Sequence, residues 1–319
     1  MLLHLLLFAV GLGLLYLGAE WLIRGAASLA LKFGIRRLVV GITVVALGTS
    51  MPEFVVNFFA AISDEDGLAL GNIIGSNICN IALILGASAI ILPLVVSPGT
   101  LRKEYIIMMA AMGAFYLMAL DGVISRMDGL ILVAGLIAFL AFLMFDAKKH
   151  NSKVNHDEIP DLERKDLASS NGKKALLVIG GMAFLALGAR LMVHSAVEIA
   201  DWMGVDHVII GLTVVAIGTS LPELAASLVS VLKEDPDMSM GNVLGSNLLN
   251  VLFVIGIVAA IRPLAVDTQS LDIHFPVMLG FGVLLLPLAW TSYCITRFEG
   301  GVLLTGFAAY MLYLVFPYV

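Results

Sequence analysis

The chain has 319 residues, of which 60% are apolar and only 13% are charged, with a formal net charge of −6. Soluble domains carry about 25% charged residues, and a chain of this length cannot bury so much apolar side chain in an aqueous core. The composition therefore excludes a soluble enzyme, a nucleic-acid-binding protein and a disordered chain.

Ten apolar segments are long enough to cross a bilayer, for which about 20 residues are needed. In chain order they are residues 2–31, 38–62, 68–96, 104–120, 127–145, 174–200, 207–232, 238–261, 273–292 and 300–318. Charged clusters or Pro and Gly residues separate them. The sequence thus predicts an all-α membrane protein with ten transmembrane helices.

The loop charges predict the orientation of these helices. Lys and Arg residues of the loops fall almost entirely on one side of the ten-helix layout, and only Arg126 and Arg262 fall on the other. Basic loops stay in the cytoplasm. We therefore expect a multi-pass protein of the cell membrane with both termini outside and the polar 146–174 loop in the cytoplasm.

The chain repeats itself at an offset of 170 residues. Residues 41–53 read GITVVALGTSMPE and residues 211–223 read GLTVVAIGTSLPE; residues 71–80 read GNIIGSNICN and residues 241–250 read GNVLGSNLLN. The repeats are 1–145 and 174–319, joined by the 146–173 loop. Because each repeat holds five predicted helices, the second enters the membrane from the opposite side. Inverted repeats are typical of secondary transporters.

The first motif, Gly-Thr-Ser-x-Pro-Glu, places Glu53 and Glu223 within apolar spans. A carboxylate at membrane depth is costly and should face a protein interior with a partner. Pro52 and Pro222 remove a backbone donor and break the helix one turn back. A broken helix with free carbonyls, hydroxyls and a carboxylate is an oxygen cage for a hard cation.

The second motif, Gly-Asn-x-x-Gly-Ser-Asn-x-x-Asn, spaces Ser76 and Asn80, and likewise Ser246 and Asn250, four residues apart on one helix face. Its glycines allow close approach of another helix. We expect these four side chains to line the site. Four further asparagines have two readings, as ligands or as interhelical hydrogen-bonding groups: Asn72, Asn77, Asn242 and Asn247.

These motifs resemble the alpha-repeats of the cation/calcium antiporter superfamily, most closely the prokaryotic sodium/calcium exchangers. The resemblance covers nearly the whole chain outside the cytoplasmic loop. It implies that calcium lies between Glu53 and Glu223, with flanking sodium sites that share both carboxylates. The ion-binding positions that it implies are Ala46, Thr49, Ser50, Glu53, Ser76, Asn80, Ala216, Thr219, Ser220, Glu223, Ser246 and Asn250. The alanines would contribute backbone carbonyls. Many relatives carry Asp where this chain has Asn250.

The expected function is sodium-driven calcium export by a secondary antiporter that carries Ca²⁺ and Na⁺. Potassium-dependent or proton-coupled exchange of calcium or another divalent cation is the alternative. A cation channel is disfavoured because channels usually assemble a pore from several subunits. An intramembrane hydrolase is disfavoured because no base lies near the Thr-Ser-x-Pro-Glu motif. We expect no enzyme activity, no cofactor, no nucleic acid and no obligatory protein partner besides the bilayer.

Overall fold

The computed structural model describes residues 2–33, 35–149, 170–203 and 216–316, and most of them are helical. The helices are α1 (Leu2–Phe33), α2 (Arg37–Thr49), α3 (Met51–Ile62), α4 (Asp66–Ile91), α5 (Pro98–Arg102), α6 (Glu104–Ala119), α7 (Arg126–Lys149), α8 (Asn171–Trp202), α9 (Ala216–Gly218), α10 (Leu221–Leu232), α11 (Pro236–Ile261), α12 (Ser270–Trp290) and α13 (Arg297–Val315). The strands are β1 (Leu94–Val95), β2 (Val123–Ile124), β3 (Leu264–Ala265) and β4 (Cys294–Ile295).

Seven of the described helices are long and apolar enough to cross a membrane, or eight if α2 and α3 form one bent span. The prediction of a mostly helical membrane protein is therefore confirmed. Helix α6 has 16 residues and α10 has 12, so each is short for a span on its own. Residues 207–215 of the seventh predicted segment, and most of the predicted cytoplasmic loop, lie outside the described residues.

The strands are a difference from the all-α prediction. The third predicted segment ran to residue 96, but its helix ends at Ile91 because Leu92 is extended before Pro93. Strand β1 then pairs antiparallel with β4, opposing Leu94 and Ile295. Strand β2 pairs in the same way with β3. Each ribbon therefore joins the first repeat to the second.

Helices α1 and α8 pack along each other through glycines. A Cβ atom on Gly18 would lie 2.7 Å from the Leu185 nitrogen and 2.8 Å from the Gly181 oxygen. A Cβ atom on Gly181 would lie 2.6 Å from the Leu22 nitrogen. Real Cβ atoms do not approach backbone so closely, so only glycine permits this spacing. Helices α1 and α8 are equivalent at the repeat offset.

The glycines of the second motif also work as predicted in the second repeat. A Cβ atom on Gly241 would lie 2.5 Å from the Leu38 oxygen, and one on Gly245 would lie 2.5 Å from Cα of Ile42. Helix α11 is thereby seated against α2. The positions equivalent to Leu38 and Ile42 at the repeat offset are 208 and 212, which lie outside the described part of the chain.

Ion pairs connect the ends of the helices. Long-range pairs among the described residues include Arg37–Asp235, Lys103–Asp146 and Arg262–Asp66, each at 2.6 Å, and Arg36–Glu104 at 3.7 Å. Glu20 and Arg24 pair within α1 at 4.0 Å, and Lys233 also lies 3.4 Å from Glu20.

Candidate ion-binding site

Both copies of the first motif break their helix at the serine. Ser50 has φ −84° and ψ 5°, and Ser220 has φ −86° and ψ 4°. Helices α2 and α3 meet there at an angle of 47°. Pro52 and Pro222 stand in the first turn of the following helix, where a missing N–H costs nothing. The predicted helix breaks are thus present in the structure.

The breaks put Glu53 and Glu223 in the first turns of α3 and α10. Each side chain is only 1% exposed. A helix N-terminus favours an anionic group because its first N–H groups lack helical partners. Ser50, three residues before Glu53, donates a hydrogen bond to Oε1 of Glu223, so the two acidic residues belong to one buried cluster. Two buried carboxylates side by side repel each other, and a bound cation would remove that repulsion.

The two serines at the breaks have different partners. The Ser50 hydroxyl donates to Oε1 of Glu223 at 2.9 Å, so it crosses from one repeat to the other. The Ser220 hydroxyl instead donates to the Ser76 hydroxyl at 3.1 Å. Both bonds bring a residue of the first motif of one repeat against a predicted site residue of the other.

The two threonines cross between the repeats symmetrically. Thr49 donates to Oδ1 of Asn242 at 3.2 Å, and Thr219 donates to Oδ1 of Asn72 at 3.0 Å. The threonine hydroxyls are thereby engaged by the second motif. A hydroxyl that donates its proton keeps its lone pairs, so these bonds do not exclude the threonine oxygens as ligands.

Asn80 and Asn250 also contact the opposite repeat. Nδ2 of Asn80 donates to Oδ1 of Asn247 at 3.2 Å, and Nδ2 of Asn250 donates to Oδ1 of Asn77 at 3.1 Å. Each donor lies in a π-helical turn, Cys79–Ile84 or Asn250–Ile255. Such turns are rare and often mark functional sites.

Several buried oxygens of the predicted ligands have no hydrogen-bond partner among the described residues. They are Oε1 and Oε2 of Glu53, Oε2 of Glu223, Oδ1 of Asn80, Oγ of Ser246 and Oδ1 of Asn250. Leaving a buried acceptor unpaired costs free energy, more so if it is charged. These oxygens belong to residues of both repeats, and carboxylate and amide oxygens are the ligands that Ca²⁺ prefers.

The two alanines differ. The Ala46 carbonyl accepts the Ser50 amide at 2.9 Å and lies 3.3 Å from the Thr49 hydroxyl, whose single proton it shares with Oδ1 of Asn242. The Ser220 amide bonds instead to the Ile217 carbonyl at 3.0 Å, which leaves out Ala216 at the start of α9.

Sequence reasoning missed residues that support the site. Nδ2 of Asn57 donates to the Glu53 carbonyl at 2.7 Å, and Asn57 lies four residues on from Glu53, a spacing that the sequence shows. Ser227, at the equivalent position of the second repeat, accepts from Asn242 at 2.9 Å. Met108 and Met278 accept from buried asparagines, and no sequence pattern distinguishes them from packing methionines.

In the described part of the chain, no three His, Cys, Asp or Glu side chains gather as a metal site. The cluster instead combines two carboxylates with neutral amide and hydroxyl oxygens. Such a set suits a hard cation that is bound and released, because neutral oxygens bind without requiring deprotonation.

The chain matches known proteins along nearly its whole length. The family model described as "Sodium/calcium exchanger protein" matches residues 3–145 and 173–316. The putative antiporter CaxA of Alkalimonas amylolytica is 35% identical over 96% of this chain and 97% of its own length. The sodium/calcium exchanger MaX1 of Methanosarcina acetivorans is 29% identical over 98% of each chain.

A solved structure of the sodium-calcium exchanger NCX_Mj, soaked with zero Na⁺ and Ca²⁺, superimposes with a TM-score of 0.82 at 31% identity. It covers 98% of this chain and 99% of its own. The family match takes in both halves that carry the buried carboxylates. The chain therefore belongs to the sodium/calcium exchanger family of membrane antiporters.

Proposed function

We propose that this protein is a secondary active antiporter that exchanges Na⁺ for Ca²⁺ across the cell membrane and normally extrudes Ca²⁺. The observation that carries the proposal is the set of buried, unpartnered oxygens around Glu53 and Glu223. One Ca²⁺ balances two carboxylates, and the amide and hydroxyl oxygens complete a shell of about six to eight ligands. Na⁺ binds the same carboxylates when Ca²⁺ leaves.

The ligands in this proposal are the twelve residues predicted from the sequence, with one qualification that the hydrogen bonds suggest. The Ala46 carbonyl accepts the Ser50 amide and competes with Oδ1 of Asn242 for the single Thr49 proton, so an ion bound at Ala46 would leave that proton to Asn242. In the second repeat the Ser220 amide bonds to the Ile217 carbonyl instead. Binding is therefore expected to be coupled to a small rearrangement at the first helix break.

The proposed architecture is ten spans in two inverted five-helix repeats, 1–145 and 174–319, with a cytoplasmic 146–173 loop and both termini outside. The strand ribbons support it, because β1 and β4 fall on the predicted inner side and β2 and β3 on the predicted outer side. The ion pair Arg37–Asp235 joins two predicted inner ends, and Arg262–Asp66 joins two outer ends.

The proposed mechanism is alternating access, in which α1 and α8 move together past a fixed site. They are symmetry-equivalent, carry none of the proposed ligands and share a smooth glycine interface. Crosslinking α1 to α2 through introduced cysteines is expected to block turnover while calcium still binds. Full exchange after complete crosslinking would contradict this part of the proposal.

The coupling ion is tested by uptake of radioactive calcium into proteoliposomes loaded with sodium, potassium or an outward proton gradient in separate preparations. We expect uptake with internal sodium alone. Uptake that requires potassium together with sodium, or that follows protons alone, would instead establish one of the alternative exchangers. Calcium flux that runs down its own gradient with no counter-ion would identify a channel.

A further inference from the structure

A series of hydrogen bonds through side-chain amides connects the sulfur of Met108 with the side chain of Asn80. Nδ2 of Asn247 donates to Sδ of Met108 at 3.5 Å. Oδ1 of Asn247 accepts from Nδ2 of Asn80 at 3.2 Å. Oδ1 of Asn80 is buried and has no hydrogen-bond partner among the described residues, whereas both polar atoms of Asn247 are bonded.

An equivalent series of hydrogen bonds starts at Met278. Nδ2 of Asn77 donates to Sδ of Met278 at 3.6 Å, and Oδ1 of Asn77 accepts from Nδ2 of Asn250 at 3.1 Å. Oδ1 of Asn250 is again left over and buried. Met278, Asn77 and Asn250 are equivalent to Met108, Asn247 and Asn80 of the first series at the 170-residue offset between the repeats. The arrangement is thus built twice by the same residue types.

The methionine thioether at one end of each series determines which way the side-chain amides are oriented. A carboxamide has two near-identical ends, one that donates and one that accepts, and it can turn over. A thioether sulfur only accepts, so the end of Asn247 that faces Met108 is its NH₂ group. Asn247 then offers its oxygen to Asn80, Asn80 offers its NH₂ in return, and the Asn80 oxygen is left for the ion.

We propose that Met108 and Met278 are positioning residues that make Asn80 and Asn250 present an oxygen, and not an NH₂ group, to the transported cation. The proposal rests on the proposed function, in which these two asparagines bind the ion. If either amide turned over, it would direct N–H donors at a cation, which is repulsive. Met108, Met278 and both linking asparagines are fully buried, so water does not compete for these bonds.

Leucine at position 108 keeps the volume and removes the acceptor. Asn247 then leaves one polar end unpaired in either orientation, so nothing selects between the two, and the Asn80 oxygen loses its bias toward the ion. We expect Met108→Leu to weaken Ca²⁺ binding to the purified protein by about twofold, because two equally populated orientations leave about half of the molecules with the Asn80 oxygen facing the ion. Met112→Leu is the matched control, because Met112 is equally buried one turn on in α6.

In a protein that carries Asn80→Asp, we no longer expect Met108→Leu to weaken Ca²⁺ binding. Aspartate has two accepting oxygens, so Asn247 has to turn its NH₂ toward residue 80 and its oxygen toward the Met108 sulfur, where two acceptors meet. Met108→Leu removes that repulsion. In this background we expect Met108→Leu to leave Ca²⁺ binding unchanged or tighter. Met278→Leu with Asn250→Asp repeats the test independently, in case one variant does not fold.

Isothermal titration with Ca²⁺ and melting temperatures in ion-free buffer are measured for all variants. Weakening by the same factor in both backgrounds, or an equal effect of Met112→Leu, would overturn the proposal. If the wild-type protein binds neither Ca²⁺ nor Na⁺, the proposed function fails by itself. The ion-free melting temperatures still decide the orientation claim, because Met108→Leu should lower the value in wild type but not in Asn80→Asp.

Discussion

The Ser50 hydroxyl donates 2.9 Å to Oε1 of Glu223, so the helix break of one repeat holds the carboxylate of the other. The equivalent Ser220 hydroxyl donates to Ser76 instead. Within the part of the chain that the structure describes, Glu53 therefore keeps two unpartnered oxygens and Glu223 keeps one. The two halves are equivalent in sequence but not in their hydrogen bonds.

This asymmetry predicts unequal effects of two matched substitutions. Ser50→Ala removes a hydrogen bond to a buried carboxylate, so we expect calcium affinity to fall by about tenfold. Ser220→Ala removes a bond between two hydroxyls, so a smaller loss of about threefold is expected. Calcium titration of the two purified variants measures both values. A larger loss in Ser220→Ala than in Ser50→Ala would contradict the assignment.

Neutralising either glutamate is expected to abolish exchange. Glu53→Gln or Glu223→Gln leaves a dication in a buried site with one negative charge, and breaking a buried pair of charges costs about 3–5 kcal/mol. Sodium-driven calcium uptake in proteoliposomes should fall by about two orders of magnitude or more. Glu20→Gln, which alters a partly exposed ion pair in α1, is the control and should transport. Near wild-type uptake by either site variant would refute the proposed ligands.

The α1–α8 interface predicts a difference between two glycines of the same helix. Gly18→Ala puts a methyl group against backbone atoms of α8, so the helices have to separate, at a cost of about 1–3 kcal/mol in the free energy of unfolding. Gly13→Ala meets no described atom within 4 Å and should be neutral or slightly stabilising. Melting temperatures of the two variants decide the point. Equal melting temperatures would show that the close approach is not required.

The proposed orientation predicts labelling from opposite sides. Asp121 and Thr291 are equivalent at the repeat offset and both are exposed, but they follow α6 and α12 on opposite predicted sides. In a Cys294→Ser background, a membrane-impermeant maleimide should label Asp121→Cys in intact cells. It should label Thr291→Cys only after permeabilisation. Labelling of both variants in intact cells would exclude an odd number of spans per repeat.

The helix breaks were predictable from the sequence because their causes are local. Pro52 and Pro222 act on their own helices, and a glutamate beside each of them at membrane depth signals an ion. The strands were not predictable. Two residues such as Leu94 and Val95 carry no periodicity, and their pairing depends on residues about 200 positions away.

The hydrogen bonds between the repeats were beyond sequence reasoning for a similar reason. The spacing of Asn72, Ser76 and Asn80 places them on one helix face but does not state which atoms of the other repeat they meet. The sequence does not distinguish whether Asn77 and Asn247 are ligands or interhelical hydrogen-bonding groups. In the structure, both polar atoms of each side chain form hydrogen bonds between helices. Met108 resembles any other methionine of an apolar helix until its sulfur is seen beside an amide.

The crossed pairing of the strands has a consequence for biogenesis. Strand β1 pairs with β4, and strand β2 pairs with β3. The first half therefore leaves the ribosome before the partners of its two strands have been synthesised. Uncovered edges invite pairing with other chains. The β2–β3 ribbon cannot form before residue 264 has been synthesised, nor the β1–β4 ribbon before residue 294, so we expect both ribbons to be completed only after most of the second half has been made.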